Sequence, residues 1–107
     1  MEQLLHYVWK HKIFPLSALQ TTSGRPVEVI DPGLPNMNAG PDFFNAKLKI
    51  DGTLWVGNVE VHTQASEWLL HRHDCDKAYD TVILHVVGES NCDVYRTNGE
   101  LVPQMVL

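Results

Sequence analysis

Two acidic residues and one histidine near the middle of the chain have the types and spacing for metal-ion chemistry. Asp42 follows Gly40-Pro41, and Glu60 and His62 stand two apart in "GNVEVH". Residues i and i+2 of a strand share a face, so Glu60 and His62 set a carboxylate beside an imidazole. A hard cation such as Mg²⁺ takes oxygen ligands: one or two carboxylates, with waters and substrate phosphate oxygens. Asp42 and Glu60 are the candidate carboxylates. To share one ion they need to lie about 4–5 Å apart, given metal–oxygen distances near 2.1 Å.

A second constellation follows. His62, His71, His73 and His85 fall within 24 residues, accompanied by Asp74, Asp76 and Asp80. On a strand His71 and His73 would share a face; on a helix they would point about 200° apart. Histidine and aspartate sets of this kind bind Zn²⁺, Mn²⁺ or Fe²⁺. The alternative centre is therefore His62, His71, His73 and His85, in a metallohydrolase of another type. No HExxH or similar spacing supports it.

Plain structural roles compete with both. Asp42 can be a turn residue bonding its own backbone. Glu60 and His62 can lie on a solvated sheet face, with Lys47 and Lys49 in ordinary cross-strand pairs. His85, inside an apolar run, fits a hydrogen-bonded core histidine. His71 and His73 fit exposed or capping positions. Trp55 and Trp68 read as core aromatics before they read as a stacking platform. Cys75 and Cys92 match no zinc or CxxC spacing and read as free thiols.

The elements that must position these residues are legible from periodicity. Leu4, Leu5, Val8 and Trp9 recur at helical spacing, which predicts a helix over 2–12. A short helical stretch is expected at 16–20. "VEVID" (27–31), between two prolines, reads as a strand, and "PGLPNMNAGP" (32–41) as a loop. Residues 43–50 and 53–62 are two strands joined by Asp51-Gly52, a strong hairpin signal. Ser66 is a candidate cap for a helix over 67–79. "TVILHVVG" (81–88) reads as a central strand buried on both faces. Asn98-Gly99 marks a final hairpin. The expected fold is α/β (α+β): an αβββαβ core with a mixed, mainly antiparallel sheet flanked by helices.

Register tests the carboxylate site. A strict two-residue turn pairs residues whose numbers sum to 103. Glu60 then faces Phe43 and Asp42 faces Val61, which puts the two carboxylates on opposite faces. A metal site requires a bulge, expected near Gly57-Asn58 because strand glycines often mark one, or a bend at Asp42.

The αβββαβ order, with Pro41-Asp42 entering the second core strand and Glu60-Val61-His62 ending the third, resembles the PD-(D/E)XK nuclease superfamily. The resemblance covers roughly residues 2–88. It implies metal-dependent phosphodiester hydrolysis with Mg²⁺ or Mn²⁺ held by Asp42 and Glu60, and the Val61 carbonyl as a third ligand. His62 stands where that superfamily has lysine, and would orient water or bind phosphate. Lys47 and Lys77 are conceivable substitutes for the lysine, and Glu2 could match a further acidic position. "VEVIDPG", "NAGPDFFNA" and "GNVEVH" also resemble an uncharacterised bacterial protein family.

The bulk numbers bound the rest. The 107 residues suffice for one domain, 1–107, and the 44% hydrophobic content is ordinary for a globular chain. A net charge of −5 gives no support to nucleic acid as a partner, though a metal could still mediate phosphate contact. A non-catalytic scaffold or binding domain is the third reading. No apolar run is long enough for a membrane span, and the N-terminus lacks a secretory pattern. A cytoplasmic protein is expected. The apolar ending "GELVPQMVL" suggests that the remainder of a longer chain is a partner.

Overall fold

The hairpin at Asp51-Gly52 organises the sheet. In the computed structural model, which describes residues 1–15 and 18–107, both turn residues have positive φ, 53° and 79°. That is the backbone a tight two-residue connection needs between right-twisted strands. The turn joins β3 (Phe43–Ile50) to β4 (Thr53–Gln64). The other elements are α1 (Glu2–Lys10), β1 (Val27–Asp31), β2 (Leu34–Pro35), α2 (Glu67–Leu70), β5 (Val82–Glu89) and β6 (Gln104–Val106).

The fold is mixed α/β, as the periodicities predict. Strand order is β1-β3-β4-β5-β6, with β2 paired to β3. β1, β2, β3 and β4 pair antiparallel, while β4–β5 and β5–β6 are parallel. β5 is buried over Val82–Val87, as its β-branched run predicts. Asn98-Gly99 closes the C-terminal hairpin, with a Tyr95–Leu101 bridge and a Val102 N–H to Val94 carbonyl bond. The chain then runs on into β6 at the sheet edge.

One face of the sheet carries Val59, Val61, Leu84 and Val86, packed against Leu5 and Trp9 of α1. The indole of Trp9 donates to the Pro32 carbonyl at 3.0 Å, which ties α1 to the loop after β1. The other face buries Trp68, Val82, Val87, Val94 and Val102. Trp55, by contrast, is half exposed. Among the described residues no helix is long and apolar enough to cross a membrane.

Three expectations need correction. The 67–79 helix stops after four residues. Arg72 turns left-handed at φ 59°, and two short 3-10 turns follow, His73–Cys75 and Lys77–Tyr79. Beyond the turn one aspartate holds the chain out of helix: the Asp76 side chain accepts the Ala78 amide, a local bond that competes with helix. The Ser66 side chain makes no cap bond; its hydroxyl accepts from Asn91 instead. The 32–41 loop contains β2, whose Leu34 and Pro35 pair with Phe44 and Phe43. Of the expected 16–20 helix, residues 16 and 17 lie outside the described residues. Residues 18–20 are not helical, and Gln20 bridges Pro26.

Candidate metal centre

A dislocation in the β3–β4 ribbon decides where Asp42 lands. From Ile50↔Thr53 to Ala46↔Gly57 the register is that of a strict two-residue turn. Beyond it, Phe43 faces Val59, so the register has slipped by one. The extra residue is on β3: Phe44 and Asn45 face the single residue Asn58. Asn45 takes φ 58°, a left-handed conformation that asparagine tolerates better than most side chains. Its N–H donates to Asn58 Oδ1 at 3.2 Å, and Asn58 Nδ2 donates to Thr81 Oγ1 at 2.8 Å.

So a bulge exists, but on the opposite strand from the one expected. Gly57 is glycine for another reason. A Cβ there would meet Ile83 Cγ2 at 2.5 Å and the Thr81 carbonyl at 2.9 Å. The slip also runs the other way from the expected one. Continued one step, it sets Asp42 against Glu60 rather than against His62.

Asp42 and Glu60 then bind each other's surroundings. The Asp42 amide donates to Glu60 Oε1 at 3.1 Å, and the Val61 amide donates to Asp42 Oδ2 at 2.9 Å. Asp42 is therefore not a turn residue bonding its own backbone. Glu60 and His62 are not on a solvated face, being 4% and 2% exposed. Lys47 and Lys49 instead stand opposite Asp31 and Glu28 of β1. Among the described residues, every ion-pair partner of Asp42 and Glu60 is a histidine.

The histidines converge on the same carboxylates. Glu60 Oε2 lies 3.0 Å from His73 Nε2 and 3.3 Å from His62 Nε2. His62, His71 and His73 each offer a ligand atom, all within 4.8 Å of one another. The broken helix makes this possible. On a continuous helix His71 and His73 would diverge by about 200°; the left-handed Arg72 between them turns both toward His62. His73 also stacks on Tyr79 with ring centroids 3.6 Å apart.

His85 stands behind the centre rather than in it. His62 Nδ1 is 2.8 Å from His85 Nε2, and His85 Nδ1 is 2.8 Å from Gln104 Oε1. His85 is fully buried, which fits the core reading of this residue. From α1, His6 Nε2 comes within 3.5 Å of Asp42 Oδ2 and 3.8 Å of Glu2 Oε2.

Burial sets the charge states. Desolvation, then the neighbouring Asp42 carboxylate, pushes the Glu60 carboxyl up to about 9. Desolvation lowers His62 to about 3 and His85 to about 4, so both rings are neutral at ordinary pH. His73 is lowered too, by burial and then by His71. Burial raises Glu2, with Asp42 adding to it. The Tyr79 phenol rises to about 12, chiefly by desolvation.

The donor set suits a divalent cation on three observations. The buried Glu60 carboxyl stands beside the half-buried carboxylate of Asp42. A carboxylate oxygen faces neutral imidazole nitrogens. His6 Nε2 and His73 Nδ1 are buried without a hydrogen-bond partner. The carboxylate and histidine constellations meet at Glu60, whose Oε2 lies against His62 and His73, while the ligand atoms that converge within 4.8 Å are those of His62, His71 and His73. Sequence reasoning missed His6, Tyr79 and Gln104. A signal existed for His6, which lies one helical turn after Glu2 on the same face. None existed for Gln104.

The family model described as "Protein of unknown function (DUF2851)" matches residues 2–107. The chain belongs to this family. No curated protein and no solved structure matches it. The match spans every element of the cluster, from Glu2 on α1 to Gln104 on β6.

Proposed function

We propose that the chain carries a divalent-metal-dependent hydrolytic centre of the phosphodiesterase type, with Asp42 and Glu60 as its carboxylate ligands. The observation that supports this reading is the slip at Asn45, after which the Asp42 amide donates to Glu60 Oε1 and the Val61 amide to Asp42 Oδ2. A fold gains little by forcing two acids together in a dry site, as the raised Glu60 carboxyl records. A cation turns that repulsion into attraction. The αβββαβ order and the positions of Pro41-Asp42 and Glu60-Val61-His62 support the nuclease-like reading, in which Mg²⁺ or Mn²⁺ is the cofactor and a nucleic acid phosphodiester the substrate class.

The chain's own residues have these roles. Asp42 and Glu60 hold the ion. Val61 donates its amide to Asp42, and in an extended strand its carbonyl points to that same edge, which supports it as a third ligand. The ion, when bound, lowers the pKa of a bound water and neutralises charge on the phosphoryl oxygens. His62 does not replace lysine as a positive charge, because its ring is neutral at ordinary pH. His6, a half-buried ring whose buried Nε2 lies 3.5 Å from Asp42, is a candidate for contact with water or phosphate.

A second reading, a histidine–carboxylate metallohydrolase of another type, is favoured by the convergence of His62, His71 and His73. One experiment separates the two. The chain is incubated with single-stranded DNA, RNA and a small phosphomonoester, each with Mg²⁺, Mn²⁺ or Zn²⁺. Cleavage of DNA or RNA that is lost in Asp42→Asn supports the first reading. Phosphomonoester hydrolysis alone supports the second. Failure to bind any of these ions by calorimetry overturns both.

A further inference from the structure

The hydrogen bonds behind the centre leave a single consistent arrangement of protons. Gln104 Nε2 lies 3.0 Å from the Cys92 carbonyl and 2.8 Å from Ser90 Oγ. A backbone carbonyl only accepts, so the amide NH₂ must face it. Gln104 Oε1 therefore faces His85 Nδ1, at 2.8 Å, and also only accepts. His85 must carry its proton on Nδ1. Fully buried and paired with no carboxylate among the described residues, His85 takes no second proton, and its Nε2 is bare. That nitrogen lies 2.8 Å from His62 Nδ1 and can only accept from it. His62 must likewise carry its proton on Nδ1. Its Nε2 is left bare, 3.3 Å from Glu60 Oε2.

We propose that Gln104 and His85 are positioning residues that fix His62 as the Nδ1–H tautomer, so that His62 Nε2 is a nitrogen ligand for a first-row divalent ion of the Mn²⁺ or Zn²⁺ kind in preference to Mg²⁺. This rests on the metal centre above and assigns its ion class. The reason is chemical. A bare imidazole nitrogen cannot donate to a phosphate or a water, as a lysine in its place would. It can ligate; imidazole suits Zn²⁺, and Mn²⁺, though it favours oxygen, belongs to the first-row series that binds nitrogen donors, whereas Mg²⁺ holds to oxygen and water. A ligating histidine whose other nitrogen is anchored by a hydrogen bond is the usual way a protein fixes that tautomer. Here the anchor is three groups deep and ends on the backbone of Cys92. Glu60 Oε2 next to the bare nitrogen agrees with this. Two lone pairs at 3.3 Å repel unless a proton or a cation lies between them.

Two measurements on the full chain test this separately from the function. Long-range ¹⁵N–¹H spectra of the metal-free wild type at neutral pH are expected to show Nδ1 protonated and Nε2 bare on both His62 and His85. A His62 ring protonated on Nε2 overturns the relay whether or not any metal binds. Calorimetry with Mn²⁺, Zn²⁺ and Mg²⁺ then tests the ion. The wild type is expected to bind Mn²⁺ and Zn²⁺ more tightly than Mg²⁺. His85→Phe and Gln104→Met are expected to lose about 10–100-fold in Mn²⁺ affinity while keeping a native circular dichroism spectrum. Equal affinity for Mg²⁺ and Mn²⁺, or folded variants with unchanged affinity, overturns the role of His62 as ligand. The wild-type spectra decide the tautomer even where a variant fails to fold. Binding of no ion, with the expected tautomers present, removes the metal centre and leaves the relay as a purely structural device.

Discussion

The Asp42 amide donates to Glu60 Oε1 at 3.1 Å, while the Asp42 carboxylate reaches back to the amide that follows Glu60, at 2.9 Å. The two residues thus latch reciprocally across a slipped ribbon. Each latch uses one carboxylate oxygen. The other Glu60 oxygen is left to the histidines.

Glu60→Gln separates function from stability. The amide keeps the shape and an acceptor for the Asp42 amide, but removes a buried group that resists ionisation. Metal affinity is expected to fall by at least the ~10–100-fold that loss of an outer partner of a ligand costs. The metal-free variant is expected to unfold at a higher temperature than wild type at pH 8, by roughly 1–2 kcal/mol in stability. Calorimetric melting with and without Mn²⁺ checks both. A variant that is less stable and binds Mn²⁺ as before contradicts the assignment.

The same groups dictate how stability varies with pH. Between their folded values, about 3 and about 4, and the usual 6.5, His62 and His85 bind fewer protons folded than unfolded. Stability from them rises with pH through that window. Glu60 acts in the opposite sense. Between 4.5 and about 9 the folded carboxyl holds a proton that the unfolded chain has released, so stability falls as pH rises. Two histidines outweigh one carboxyl up to 6.5, and above it the carboxyl acts alone. Melting temperature without metal is expected to peak near pH 6.5 and decline toward pH 9. Mn²⁺ competes with the Glu60 proton and is expected to remove the decline. A melting temperature that keeps climbing to pH 9 without metal would contradict this.

Asn45 holds the slip. Asn45→Gly fits φ 58° without a Cβ and is expected to cost little, though it leaves the Asn58 bond in place. Asn45→Val places a β-branched side chain where it is most strained. It is expected to destabilise by about 1–2 kcal/mol and to weaken Mn²⁺ binding as Asp42 loses its place. Urea unfolding and calorimetry on the pair of variants give the comparison.

Gly57→Ala tests why that position lacks a side chain. The added Cβ would press on the Thr81 carbonyl, which is backbone and cannot swing away. A loss of about 1–3 kcal/mol is expected from overpacking between β4 and β5. Unchanged urea stability would show that the two strands separate more easily than their geometry implies.

Much of the fold was legible because its determinants are local. The Asp51-Gly52 turn, the alternation of "VEVID" and the apolar run of β5 each carry their own signal, and β1 and β3 begin and end where the residues predict. The second helix is shorter than its Ser66 cap suggests, because Arg72 turns left-handed and the Asp76 side chain beyond it bonds the backbone. The bulge was expected for the right reason, the need to bring Asp42 to Glu60, but was assigned to Gly57. A glycine in a strand marks either a bulge or a close neighbour, and only the position of Ile83 tells which.

By itself the sequence determined that Asp42, Glu60 and His62 would sit at one end of a hairpin, because turn chemistry and strand period are properties of neighbouring residues. Tertiary structure alone decided that His71 and His73 join them, that His6 approaches from α1, and that Gln104 stands behind His85. Those contacts depend on a one-residue slip, one left-handed residue and a parallel strand contributed from the far end of the chain. Each shifts side chains by whole residue steps, and none leaves a periodic trace in the residues that it moves.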